Sequence, residues 1–142
     1  MESVANVDLS IKRTVLLMHA ALDDEDWLRF RTFLHPDFRL EGIAPPVQGA
    51  DRALAVMQDV AQQSPGVRCY HLLHNLVVSI GDDAALVAGI MTVHRCRAGD
   101  VHALIDRSGS RVNYALQKAA AIWRVTSFSF TQLWVESLGR GD

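Results

Sequence analysis

The chain has 142 residues, a length that suits one domain and lets it bury a sizeable core. Hydrophobic residues make up 49% and charged residues 21%, which excludes disordered, collagen-like and coiled-coil classes. Lys and Arg number 14 against 16 Asp and Glu, a net charge of −2 with no basic stripe, so the composition gives no footing for a nucleic-acid-binding role.

The longest apolar run, Ala84 to Val93, is far short of the roughly 20 residues of a membrane-spanning helix. The first residues, Met1 to Asn6, carry neither the basic nor the apolar part of a signal peptide, so a cytoplasmic location with no membrane partner is expected. Cys69 and Cys96 lack CxxC spacing and are expected as reduced thiols.

Leu9, Val15, Leu16, Ala20 and Leu22 recur at helical spacing and predict a first helix over roughly residues 8–22. A second helix follows a sharp turn at Asp23-Asp24, with Asp24 as its N-cap and Trp27, Phe30 and Leu34 on one face. His35-Pro36 is expected to end it. An extended piece, Phe38 to Gly42, and a turn at Pro45-Pro46 lead to a third helix from about Asp51 to Gln63, stopped by Ser64-Pro65-Gly66.

From Val67 onward the chain turns rich in Val, Ile, Thr and aromatics. Four strands are predicted: 68–80, 84–96, 111–123 and 125–136, the first two joined by a hairpin at Gly81-Asp82-Asp83. Residues 97–110 read as a polar connection long enough to act as a lid. Helices followed by antiparallel strands indicate one α+β domain over 1–142: three helices over the concave face of a curved, mostly antiparallel sheet that encloses a hydrophobic cavity.

Strand alternation then sorts the polar residues. Cys69, His71 and Leu73 share one face while Leu72, His74, Leu76 and Val78 share the other. His71 and His74 therefore point apart and cannot clamp a metal together, and no metal is expected. Thr92, His94 and Cys96 share a face, as do Arg111, Asn113 and Ala115. If those faces are concave, His71, His94 and Asn113 meet inside. Each also has a plain structural reading: the histidines as core groups bonded to backbone, Asp23 as a turn or cap residue, the cysteines as small apolar fillers, and Trp27, Trp123 and Trp134 as core. Leu72, Leu76 and Val78, taken as exposed, suggest an outer sheet face covered in an oligomer.

Five segments occur in one order: Ala21-Leu22-Asp23-Asp24-Glu25-Asp26-Trp27, Gly49-Ala50-Asp51-Arg52-Ala53-Leu54, Tyr70-His71-Leu72-Leu73-His74-Asn75, Val93-His94-Arg95 and Ile122-Trp123-Arg124-Val125. Together they resemble the SnoaL-like branch of the nuclear transport factor 2-like superfamily, with scytalone dehydratase and hexachlorocyclohexane dehydrochlorinase similar in motif. The resemblance implies a cone-shaped fold, frequent dimers or trimers, and an Asp in the turn after the first helix that holds a strand His as general base. Those positions hold Asp23 and His71; the second His and the Asn of scytalone dehydratase correspond to His94 and Asn113. Its two carbonyl-polarising tyrosines are replaced by Leu22 and Gly42, and Met18 stands where some steroid dehydratases of this branch carry Tyr. Leu22, Met18, Trp27 and Cys69 are then expected to contact the substrate.

A carboxylate on one imidazole nitrogen fixes the tautomer and aims the other nitrogen, so the pair suits abstraction of a proton from carbon. The expected function is a cofactor-independent lyase or isomerase acting on a small hydrophobic cyclic molecule, for instance a dehydratase. The alternative is a non-catalytic binding or assembly module of the same fold, comparable to the small subunit of a ring-hydroxylating dioxygenase.

Overall fold

The structure, a computed structural model, describes residues 2–99 and 103–138. Three helices, α1 (Val4–Asp23), α2 (Trp27–Thr32) and α3 (Ala50–Gln63), pack on one sheet of six strands. The strands are β1 (Leu34–Glu41), β2 (Val47–Gln48), β3 (Val67–Ile80), β4 (Ala84–Arg97), β5 (Leu104–Ala119) and β6 (Ile122–Ser137), in the spatial order β2-β1-β6-β5-β4-β3. Among the described residues only the β1–β6 pair is parallel. This is the α+β architecture that the sequence predicts, with the helices over a curved, mostly antiparallel sheet.

The first helix exists where its periodicity puts it, in a different phase. Ile11, Val15, Met18 and Ala21 are the buried apolar residues, whereas Leu9 is 65% and Leu16 46% exposed. Spacings of four, three and three put this stripe on one helix face, which turns toward the sheet. Asp24 is the C-cap of α1, and Asp26 is the residue that caps α2, its side chain accepting from the Arg29 amide at 3.2 Å. His35 and Pro36 do not end α2. They lie in β1, where the register against β6 shifts between Leu34 and Arg39 and Pro36 needs no ladder donor.

The long strands differ from expectation at three places. Residues 97–110 are mostly ladder rather than lid: Arg97 ends β4, Leu104 begins β5, and the Arg97 amide donates to the Ala103 carbonyl at 3.0 Å. Residues 100–102 lie outside the described residues. The β5–β6 joint is a two-residue turn at Ala120-Ala121, both at positive φ, flanked by the pair Ala119 and Ile122. In β3 a bulge at Asn75, φ 53°, shifts the register between His74 and Val77, so the alternation inverts. Leu76 and Val78 therefore pack against the core instead of facing out, Val77 is exposed, and Leu72 alone of the expected outer trio is exposed. Gly89, across from the bulge, leaves the space that Leu76 fills: a Cβ there would stand 2.7 Å from Leu76 Cδ2.

The core is built where α1, α3 and the inner sheet face meet, from Ile11, Val15, Phe38, Leu40, Val87, Val112, Leu116 and Val125 among others. Burying such side chains favours folding by roughly 1.5–3 kcal/mol each, which holds the sheet curved against the helices. Trp123 belongs to this core, but Trp134 is 43% exposed, its indole lying over Gly109, its partner on β5. Among the described residues no helix is long and apolar enough to cross a membrane.

Candidate active site

The site begins where α1 stops. The Asp26 amide donates to Ala21 O at 2.9 Å and the Glu25 amide to Leu22 O at 3.0 Å, with Glu25 in the left-handed region at φ 54°. This is a Schellman closure, which ends the helix at once and leaves Asp23 on its last turn. A carboxylate at the negative end of a helix dipole is unfavourable unless donors meet it. Both donors come from one residue of β3: the His71 backbone amide gives Asp23 Oδ2 a 2.9 Å hydrogen bond, and His71 Nδ1 bonds Asp23 Oδ1. The two side chains are only 15% and 14% exposed.

With a carboxylate on Nδ1, that nitrogen carries the hydrogen and Nε2 presents a lone pair. Among the described residues Nε2 has no hydrogen-bond partner, and His71 lines a cavity of about 470 Å³. Leu22, Trp27, Met57, Val60, Val93, Phe128 and Phe130 give it apolar lining. Arg95, Ser108, Ser110 and Gln132, from β4, β5 and β6, add polar groups to that lining. Arg95 is gripped by Asp106, its Nε 2.9 and 3.0 Å from the two carboxylate oxygens, a pairing that raises its pKa and keeps it cationic. Arg68 stands near the turn, its guanidinium 3.5 Å from Asp23 O and 3.8 Å from Glu25 Oε2.

Beneath His71 lies a second imidazole. His19, one turn before Asp23 on α1, stacks on the His71 ring with centroids 5.0 Å apart. Its Nε2 shares a 2.7 Å hydrogen bond with Tyr114 Oη. Burial, and then the nearby His71, hold the His19 pKa well below the usual range, so His19 is neutral. Burial likewise pushes the Tyr114 phenol up. The Cys69 thiol is raised by burial, with Arg95 pulling the other way, and it lines the cavity as a protonated thiol.

Of the residues the sequence nominates, Asp23, His71, Leu22, Trp27 and Cys69 line the cavity, while Met18 is buried in the core beside it. His94 and Asn113 do not join them. Directly paired residues of an antiparallel ladder share a face, and His71 pairs with Val93, which pairs with Ser108. His94 sits opposite Tyr70 and Asn113 opposite Ala88, both on the outer face, one residue out of phase with the cavity. Thr92 shares the outer face and takes a 3.1 Å bond with His74 Nε2. Ser108, Ser110 and Gln132 stand where His94 and Asn113 were expected to converge. Their signal lay in the register, which strand patterns alone do not fix. His19 was missed as well, although its four-residue spacing to Asp23 puts both on one helix face. Gly42 leaves no room for a tyrosine: a Cβ there would stand 2.5 Å from Phe130 O. Among the described residues no group of three or more His, Cys, Asp or Glu side chains could hold a metal ion.

A family model described as a SnoaL-like domain matches residues 4–129. The chain belongs to the SnoaL-like domain family. Within the nuclear transport factor 2-like superfamily, this SnoaL-like domain is similar to solved structures at low identity. A candidate scytalone dehydratase from Novosphingobium aromaticivorans is 12% identical, covers 96% of each chain, and superposes with a TM-score of 0.78. LinA is 14% identical, with 93% of this chain and 89% of that one covered and a TM-score of 0.78. A Catenulispora acidiphila protein in complex with S-DNPA is 17% identical over 90% and 94% of the two chains, with a TM-score of 0.79. At these identities the likeness shows a shared fold. Among curated protein sequences none matches the SnoaL-like domain described here.

Proposed function

We propose that this protein is a cofactor-independent lyase or isomerase in which Asp23 and His71 act together as the general base on a small, largely apolar cyclic molecule. The observation that carries this reading is the pairing of both Asp23 oxygens with His71, on its ring Nδ1 and its own amide, beside a cavity that His71 lines. Fixing the amide and the ring with one carboxylate holds the imidazole in one tautomer, which general-base catalysis requires.

In a β-elimination, His71 Nε2 takes a proton from carbon, the C–H electron pair forms the new double bond, and the bond to the leaving hydroxyl or halide breaks with its electrons. Asp23 stabilises the imidazolium that results. In an isomerisation the same proton returns to another carbon. Ser108, Ser110, Gln132 and Arg95 supply donors in the cavity lining toward an oxygen or leaving group, the part for which His94 and Asn113 were expected. A water-poor apolar wall strengthens each of these interactions. The family match and the fold shared with a candidate scytalone dehydratase support the class of reaction.

The test is incubation of the protein with hydroxylated, halogenated and enone-forming cyclic compounds, with formation of a conjugated double bond followed by absorbance and NMR. Turnover of at least one class is expected. The second reading, a binding or assembly module, is favoured by Leu22 and Gly42 in place of tyrosines. Saturable binding with no turnover, together with an obligate second subunit on size exclusion, would support it over the first.

A further inference from the structure

Asp23 touches the His71 ring at one edge, and a ring held at one edge can still rock about that bond. We propose that His19 is a positioning residue for His71: a flat support under its face, itself fixed by Tyr114, that keeps Nε2 turned to the cavity. This rests on the reading of His71 as the base.

The two rings lie 27° from parallel with centroids 5.0 Å apart. His19 and Asp23 stand one turn apart on α1, so a single helix end grips the face and the edge of the same imidazole. His19 has no freedom of its own. It is 2% exposed, its Nε2 is bonded to Tyr114 Oη, and the rings of Tyr114 and Phe128 meet its edge at 81° and 84°. Tyr114 and Phe128 are cross-strand partners of β5 and β6, stacked within 6° of parallel, so the support is anchored in the sheet. Phe128 also lines the cavity, which joins the support to the substrate wall. The Nδ1 of His19 is buried with no partner among the described residues, so the Tyr114 bond and the aromatic edges set the ring's orientation. A neutral ring face beneath His71 attracts the imidazolium formed on proton transfer, whereas a second cation would repel it.

The experiment is relaxation-dispersion NMR on the ring carbons and nitrogens of His71 in protein labelled at histidine. Wild type is expected to give one sharp set of His71 ring signals with an observable Nδ1 proton. His19→Ala should replace it with exchange-broadened signals and loss of the Nδ1 proton resonance, Tyr114→Phe should broaden them less, and His19→Phe, which keeps a flat ring, should restore the single set. A folded His19→Ala protein with His71 signals as sharp as wild type overturns the proposal. If His19→Ala does not fold, the near-isosteric Tyr114→Phe decides, and unchanged His71 signals there overturn it equally. Failure of the compound screen would instead strike the general-base reading and leave this ring measurement intact.

Discussion

His71 and His74 stand three residues apart on β3 and show what the two faces of one strand do to the same side chain. His71 is largely enclosed, paired with a carboxylate that its own amide also holds, and stacked on a neutral ring. His74 faces outward and shares one bond with the Thr92 hydroxyl. The difference lies in the partners supplied by α1, which reaches only the inner face, so the surroundings of each histidine follow from the helix end as much as from the strand.

The largest effect that sharpens this contrast concerns rate. Asp23→Asn keeps the shape but removes the charge that orders His71, and should lower turnover of any compound found in the screen by about 10²–10⁴-fold. His74→Ala should leave the rate within about twofold. Steady-state kinetics of the two variants checks the pair, and equal losses would dissolve the inner-outer distinction.

Stability follows the same division. Leu40, 1% exposed, loses packing and leaves a cavity on truncation, so Leu40→Ala should cost about 2–5 kcal/mol in urea unfolding. Leu86, 62% exposed on β4, should cost no more than about 0.5 kcal/mol as Leu86→Ala.

A smaller effect is the dependence on pH. His19 has a lowered pKa in the fold, so the unfolded chain binds its proton first as pH falls. Stability therefore declines from roughly pH 6.5 downward toward the lowered value, with a slope of at most about 1.4 kcal/mol per pH unit from this group. His19→Phe should flatten that part of the curve. Thermal unfolding of both proteins at successive pH values reads it directly, and identical slopes would show that His19 carries no such linkage.

The smallest expected effect lies among the polar lining residues. Gln132→Ala should raise KM several-fold with kcat changed less, because it removes one donor from the cavity lining. A kcat loss as large as that of Asp23→Asn would place Gln132 in the chemistry rather than in binding.

Much of this was legible in the sequence because periodicity and turn chemistry act locally. The α1 end, the hairpin at Gly81-Asp82-Asp83 and the strand bearing His71 each follow from their own residues. What failed depends on pairing across strands. Asn75 inserts a bulge that inverts Leu76 and Val78, and the Ala120-Ala121 turn carries no Gly or Asn to announce it. A one-residue phase error on β4 and β5 put His94 and Asn113 inside, and reading residues 97–110 as a connection hid Ser108 and Ser110, which lie in β5. Tyr114 could be seen to face away from Asn113, but its inward direction needed the ladder.

Asp23 and His71 act as a general base only if His71 takes the proton. The most direct measurement is the single-turnover rate of wild type and His71→Ala, matched for fold by circular dichroism, on a compound turned over in the screen. A loss of about 10²–10⁴-fold is expected in His71→Ala. A His71→Ala protein that turns over at the wild-type rate would contradict it.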